Sequence, residues 1–350
     1  MRALTVVPLQ DGSAAVVDIA EPEPGDGELL VDGIGLGVCG TDREIAAGEY
    51  GWAPPGHERL ILGHESLGRV RTAPPDSGFA AGDLVVGVVR RPDPDPCPAC
   101  ARGEFDMCRN GRYTERGIKE LDGFGCEQWT VEADYAVKLD LRLERVGVLL
   151  EPASVLAKAW DHLDHIGRRA HFAPERALVA GAGTIGLLAA LLAVQRGLEV
   201  HVLDRVEEGP KPGLVRDLGA TYHTSDIATI AAEARPDVIV EATGVPELVF
   251  DAIDSSAAAG VVCLTGVSPV GRSLSVDAGA LSREIVLENH VVFGSVNANL
   301  DHYRLAAKAL AEADQGWLER LITRRVALER FEEALDSRPD DVKVVLELGA

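Results

Sequence analysis

Two hydrophobic rhythms divide the chain. Up to about residue 150, apolar side chains come in short alternating or continuous runs, at 3–7, 14–19, 28–34, 67–71, 83–89 and 135–139, punctuated by Gly, Pro and Asp. A period of two over so few residues predicts short strands, and a series of them suits a partly open, barrel-like sheet. From about Ala153 the rhythm changes. Apolar runs at 177–180, 200–203, 238–241 and 261–265 are separated by helical stretches such as 211–218 and 247–258. Strand and helix in alternation predict parallel strands joined by crossover helices. A run at 291–294 would close that sheet. The last fifty residues hold helical pieces at 303–313 and 331–335, then an alternating strand at 342–348 that is expected to return to the first region. The acidic, Pro-rich 91–97 stretch reads as a loop.

The run at 177–180 leads into Gly181, Gly183 and Gly186 in G-x-G-x-x-G spacing, and an Ala/Leu-rich helix is predicted over 187–196. Glycines there allow a tight turn and close approach of backbone to pyrophosphate, whose charge rests on the unpaired N–H groups of the new helix. The spacing alone is a weak signal, because Gly is common where apolar strands end. Its context strengthens it. The next strand ends in Asp204, 18 residues beyond Gly186, near the roughly 20 expected for an acceptor of the ribose 2′-OH. The fold class is therefore α/β: a partly open β-barrel-like domain over 1–155, completed by 298–350, plus a Rossmann doubly wound parallel sheet over 156–297.

Length and composition fit two domains of a globular enzyme: 350 residues, 46% hydrophobic and 26% charged. Against 34 Lys and Arg stand 56 Asp and Glu, a net charge of −22. That balance argues against nucleic acid and anionic membranes as partners. An anionic dinucleotide must then find a locally positive site. The N-terminal stretch lacks a long apolar core and no run approaches 18 apolar residues, so a cytoplasmic location is expected. Six cysteines are unevenly spread, three of them at Cys97, Cys100 and Cys108. Such clustering reads as metal binding before it reads as disulfide. Cys126 and Cys263 lie in strand-like runs and read as core residues.

Four further residues suggest a second metal. Cys39 lies in V-C-G-T-D (38–42), His64 and Glu65 in G-H-E (63–65), and Glu151 precedes Pro152 at a helix start. A catalytic zinc takes about three protein ligands and keeps one position open. Thiolate, imidazole and one carboxylate would supply them and balance the ion's charge. Each residue also has an ordinary alternative: a lone Cys is usually a small buried hydrophobe, a lone His a hydrogen-bonded core residue, and Glu-Pro a helix start.

V-C-G-T-D, L-G-H-E (62–65) and G-A-G-T-I-G (181–186), in that order over nearly the whole chain, resemble the zinc-dependent medium-chain alcohol dehydrogenase superfamily. V-R-R-P (89–92), Y-T-E-R-G-I (113–118), L-L-E-P (149–152) and G-S-V-N (294–297) resemble its glucose dehydrogenase branch. The resemblance implies a catalytic zinc held by Cys39, His64 and Glu151 in an interdomain cleft, with Glu65 binding directly or through water. It implies sugar contacts from Thr41, Glu65, Glu115, Glu151 and Asn297. Dinucleotide contacts are implied for Gly181, Gly183, Thr184, Ile185, Gly186, Asp204, Arg205, Thr243, Thr265, Gly266, Val267, Val296 and Asn297. The carboxylates and Asn297 would give one pocket many acceptors, costly to bury unless hydroxyl donors meet them. As ordinary alternatives, Glu115 reads as a solvated loop carboxylate and Asn297 as a turn residue capping the helix that begins near His302.

Many members carry a structural zinc on C-x2-C-x2-C-x7-C. Here Pro94 occupies the first position, leaving Cys97, Cys100 and Cys108. Asp93 or Asp95 could complete the tetrahedron, with Asp93 preferred; a metal-free lobe is the alternative.

The reaction implied is oxidation of an aldose, D-glucose first, at the anomeric carbon to the lactone. Zinc would acidify the hydroxyl, the nicotinamide would take the hydride, and Thr41 or Glu65 would relay the proton. Asp204 favours NAD over NADP, although Arg205 and Lys211 stand close to the same position. Competing readings are a zinc dehydrogenase of another polyol or alcohol, a zinc-free quinone or enone reductase, and a silent dinucleotide-binding protein. A homodimer or homotetramer is expected, with the cysteine lobe and the 291–294 strand as assembly surfaces.

Overall fold

The computed structural model describes residues 1–349. They form two compact units, residues 1–154 with 297–349, and Val155–Val296. The first unit is organised on Glu28–Val38, an eleven-residue strand. Its alternation of buried and half-buried positions explains why it forms, and it runs four residues beyond the expected end. Gly33, Gly35 and Gly37 blur the pattern in sequence, yet the strand continues because neighbours fill the space that side chains would take: a Cβ at Gly37 would strike the Glu65 carboxylate. One edge pairs antiparallel with Glu65–Thr72. The other edge is shared, by Gln128–Glu132 along residues 28–32 and by Lys343–Glu347 along 35–38.

From Glu65–Thr72 the sheet continues through Leu84–Gly87 to Ala136–Lys138, and Lys343–Glu347 pairs in parallel with Ile322–Ala327. Among the described residues this path does not close, so the barrel stays open. The expected C-terminal strand does return to this sheet. Two three-stranded sheets flank it: Ala15–Asp18, Arg2–Val6 and Leu60–Ile61, and Arg90–Arg91, Thr114–Arg116 and Glu120–Leu121. The core includes Leu4, Leu36, Phe124, Trp129 and Leu346, all buried.

The second unit holds six parallel strands, in spatial order Thr221–His223, Glu199–Leu203, Arg176–Ala180, Val238–Glu241, Val261–Leu264 and Val291–Gly294. Counted along the chain this is the 3-2-1-4-5-6 order of a dinucleotide-binding sheet, whose strand order reverses beside Arg176–Ala180. The helix after that strand, Thr184–Gln195, buries every residue from Gly186 to Ala193. A helix apolar all round belongs inside. Helices at Ile227–Ala234 and Ala278–Leu287 were not anticipated, although each has an Asp cap, Asp226 and Asp277, whose carboxylate accepts first-turn N–H groups.

Candidate active site

Cys39 follows the long strand directly and is the N-cap of the short helix Gly40–Ala46. Its N–H donates to Asp42 Oδ2 at 2.9 Å. Asp42 Oδ1 faces His64 Nδ1 at 3.3 Å, which turns Nε2 of the ring toward the Cys39 sulfur, 3.2 Å away. A carboxylate behind the far ring nitrogen is the usual orienter of a metal-binding histidine. Burial alone would lower the His64 pKa, but the Cys39 sulfur and the Asp42 carboxylate raise it well above 6.5.

Glu65 starts the paired strand, and its ligand oxygen lies with the Cys39 sulfur and a His64 nitrogen inside a 4.8 Å cluster. Both of its oxygens accept from Lys343 Nζ, at 2.7 and 2.6 Å. Lys343 also donates to the Val38 carbonyl at 3.3 Å. Glu151 sits in the first turn of Leu150–Gly167, buried. Its pKa is pushed up to about 7, by burial first; His64 and Lys343 oppose the shift while Glu65 and Asp42 add to it. Glu151 lies outside the 4.8 Å cluster but within its electrostatic field. Thr41 is half-buried beside Cys39.

These residues fit a divalent cation. Sulfur, imidazole and carboxylate are its borderline-soft donor set. Asp42, Glu65 and Glu151 share the field of His64 and Lys343, and a divalent cation would add positive charge among these buried carboxylates.

Glu115 is buried rather than solvated. Its Oε1 accepts from Arg90 Nε and Nη2 at 3.1 and 2.9 Å and from Asn297 Nδ2 at 2.8 Å. The structure thus joins Glu115 and Asn297, which are 182 residues apart. Asn297 has a φ of 61°, a left-handed conformation that Asn tolerates. It does not cap the following helix; Asn299 does.

In the cysteine lobe the sulfurs of Cys97, Cys100 and Cys108 converge within 4.8 Å of one another. The Cys97 thiol is lowered to about 6, chiefly by the Arg109 N–H, with further N–H groups of Cys100 and Ala99. Burial raises Cys100 to about 11. Asp93 lies beside the cluster, but its carboxylate is already engaged: Oδ1 accepts from Asp95 N at 2.9 Å, and Oδ2 from Asn110 Nδ2 at 2.8 Å and Arg112 Nε at 3.1 Å. It does not share the point where the sulfurs meet. Asp95 is exposed and pairs with Arg112 at 3.3 Å. Cys126 and Cys263 are buried, and burial raises each to about 12.

In the second unit Gly181 adopts a φ of 105°, and a Cβ on Gly186 would collide with the Gly181 carbonyl. Gly183 has nothing within 4 Å of its Cβ position. Two glycines thus serve packing while the third faces open space at the N-terminus of Thr184–Gln195, where Thr184 and Ile185 are half-buried. Asp204 accepts from the Ala182 N–H at 2.8 Å and from Lys211 Nζ at 3.1 Å. Burial opposes its ionisation, but those donors and the Val206 N–H hold the carboxyl below its usual range. Arg205 is exposed.

Beyond the next strands, Glu241 was missed by sequence reasoning. Fully buried, it accepts from the N–H of Thr243 at 2.7 Å and of Gly244 at 3.1 Å. Its main-chain carbonyl accepts from Thr265 Oγ1 at 2.8 Å and the Gly266 N–H at 3.1 Å. Val267 and Val296 are exposed; the Val296 carbonyl is held by the buried Lys158 at 3.0 Å. Asp42, Arg90 and Lys343 were likewise not singled out, although the aspartate in V-C-G-T-D and the V-R-R-P run were in view.

A 3-2-1-4-5-6 parallel sheet with a glycine turn, together with a Cys–His–Glu cluster at the start of the other unit, defines a zinc-dependent medium-chain dehydrogenase. Residues 25–141 match the alcohol dehydrogenase GroES-like domain, and residues 144–348 the glucose dehydrogenase C-terminus. The chain belongs to the glucose dehydrogenase family. It is 42% identical to glucose 1-dehydrogenase of Methanocella arvoryzae over 100% of both chains, and 39% identical to that of Thermoproteus tenax over 99% of both. The crystal structure of Haloferax mediterranei glucose dehydrogenase with NADP, Zn and gluconolactone superimposes with a TM-score of 0.91 at 34% identity, covering 100% of each chain.

Proposed function

We propose that the protein oxidises an aldose, D-glucose first, at the anomeric carbon to the lactone, passing hydride to a nicotinamide dinucleotide. The observation that carries this reading is the convergence of Cys39, His64 and Glu65, with Glu151 buried in their field, in a chain where the buried Asn297 amide donates to the buried Glu115 carboxylate. Cys39, His64 and Glu151 hold the zinc, with Glu65 binding directly or through water. Bound there, zinc supplies Lewis-acid polarisation of a hydroxyl, and the dinucleotide accepts hydride. Asp42 keeps His64 oriented. Lys343 holds Glu65 until the site is loaded. Thr41, two residues from Cys39, takes the hydroxyl proton toward water, with Glu65 as the competing relay. Glu115 and Asn297 read sugar hydroxyls.

Gly181, Gly183, Thr184, Ile185 and Gly186 cradle the pyrophosphate. Thr243, Thr265, Gly266, Val267, Val296 and Asn297 continue the dinucleotide site. Asp204 reads the adenosine ribose and favours NAD, with Arg205 beside it. Cys97, Cys100 and Cys108 hold a structural zinc. Asp93 would have to release its present donors to become the fourth ligand, which leaves that position to solvent or Asp93. Six free cysteines accord with a reducing, cytoplasmic setting. The helix Ala278–Leu287 buries none of its residues, and Val286 and Leu287 are exposed. Those exposed apolar residues support a homodimer or homotetramer. No helix among the described residues is long and apolar enough to cross a membrane.

Metal analysis with an aldose and polyol panel tests the reading. Glucose oxidation with zinc bound, and little turnover of sorbitol or ethanol, is expected. A preference for sorbitol or ethanol, or full activity after complete zinc removal, would overturn it.

A further inference from the structure

The Glu115–Asn297 pair is fastened to a distant part of the chain. The guanidinium that binds Glu115 Oε1 also donates through Nη1 to the Asp106 carbonyl at 2.9 Å. It lies 3.7 Å from the ring centroid of Tyr113, two residues before Glu115. On the other side of the pair, Asn299 Nδ2 donates to Asp106 Oδ1 at 3.0 Å. The side-chain oxygen of Asn299 meanwhile accepts from the N–H groups of Asp301 and His302, at 3.1 and 3.3 Å, and caps Leu300–Glu312. Asp106 belongs to the turn Phe105–Met107, which lies between Cys100 and Cys108. All five residues of this lattice are buried: Arg90, Asp106, Glu115, Asn297 and Asn299.

We infer that Arg90 and Asn299 are positioning residues for sugar recognition, fastening the Glu115–Asn297 pair to Asp106 so that the cysteine lobe fixes where these hydroxyl-reading groups stand. The inference rests on the reading of Glu115 and Asn297 as sugar contacts and names what sets their place. Three observations support it. Arg90 is forked between Glu115 and Asp106, a geometry that an ammonium could not reproduce. Asn299 divides its side chain between a helix cap and the lobe, so a shift of the lobe pulls on the segment carrying Asn297. Glu115 uses Oε1 alone for these bonds, which leaves Oε2 for a ligand. A buried, pre-positioned acceptor discriminates hydroxyls better than a mobile one, because its geometry is fixed before the sugar arrives.

The test compares Arg90→Lys, Asn299→Ser and Glu115→Gln, singly and with Glu115→Gln added to each of the other two. Serine keeps the helix cap and drops the bond to Asp106, so Asn299→Ser carries the test if Arg90→Lys fails to fold. Readouts are kcat and KM for glucose, KM for the dinucleotide, and equilibrium binding of glucose to enzyme loaded with reduced dinucleotide, where no turnover occurs. Arg90→Lys should raise the glucose KM and Kd about tenfold, and Asn299→Ser about threefold, as expected for loss of one buried charge-assisted bond or of its indirect support. The kcat and dinucleotide KM should hold. In the Glu115→Gln background the Arg90→Lys effect should largely vanish, since it acts through that carboxylate, and the Asn299→Ser effect should shrink, since the Asn297 segment it steadies bears on the same group. Full additivity there, or unchanged glucose affinity in both single variants while Glu115→Gln weakens it, overturns this inference alone. Unchanged affinity in Glu115→Gln overturns the underlying reading of Glu115 and the inference with it.

Discussion

Lys343→Met removes the cation from the most enclosed ion pair of the site. The Lys343 and Glu65 side chains are only 3% and 2% exposed, so water cannot solvate the carboxylate left behind. Removing one partner of such a pair costs about 3–5 kcal/mol, because the other charge stays buried and uncompensated. Glu151 adds to the strain: it shares the same field, and Lys343 is one of the groups opposing the rise of its pKa. Methionine nearly matches the lysine stem in volume, so packing loss is small. Urea unfolding of chelator-treated protein, followed by tryptophan fluorescence, should show Lys343→Met less stable than wild type by about 3 kcal/mol. Adding Glu65→Gln should recover most of that loss, because the offending charge is then gone. A single variant within about 1 kcal/mol of wild type, or a double variant as unstable as the single, would refute the reasoning.

The glycine turn separates packing from ligand contact. Gly186→Ala should destabilise the fold, because its methyl meets the Gly181 carbonyl, whereas Gly183→Ala should fold normally and raise the dinucleotide KM; equal thermal stability of the two variants would contradict this. Asp204→Gly should raise affinity for NADP relative to NAD, since it removes a carboxylate that repels a 2′-phosphate and frees Lys211; an unchanged ratio of the two Kd values would count against the assignment. Glu132 is held at about 2: burial opposes this, but the Arg91 hydrogen bond and charge prevail. A depressed carboxyl gives stability that is present above its unfolded value near 4.5 and lost as pH falls through about 2. With its side chain 42% exposed, screening keeps the contribution under about 1 kcal/mol. Urea melts should therefore show a small deficit for Glu132→Gln at pH 6 that vanishes near pH 2.

The parallel sheet was legible because each strand and helix announces itself locally: an apolar run, a glycine turn, an acidic residue at the next strand's end. Cys39, His64 and Glu65 were legible because they come in short motifs. Lys343 was not. In an alternating strand a lysine reads as an outward-facing residue, and nothing nearby says that its partner is 278 residues upstream. Arg90 escaped for a similar reason: two consecutive arginines read as surface, and only the fold shows both buried. Glu115 stood open between a solvated loop and a sugar contact, and the fact that removes the first reading, its burial against Arg90, is tertiary. The short strand Thr221–His223 and the glycine-interrupted end of Glu28–Val38 lacked enough alternation to be seen.

The shared edge of Glu28–Val38 has a consequence for how the molecule is made. Lys343 reaches the Val38 carbonyl across 305 residues, and the whole nucleotide-binding unit is encoded between them. During synthesis the ribosome therefore releases Cys39, His64 and Glu65 long before their counter-cation exists, with half of a sheet edge still bare. Closure of so distant a pairing is slow, and until it happens the nascent edge is a template for wrong partners. The sheet edge and the ion pair of Glu65 are thus completed at one late event, the docking of Lys343–Glu347.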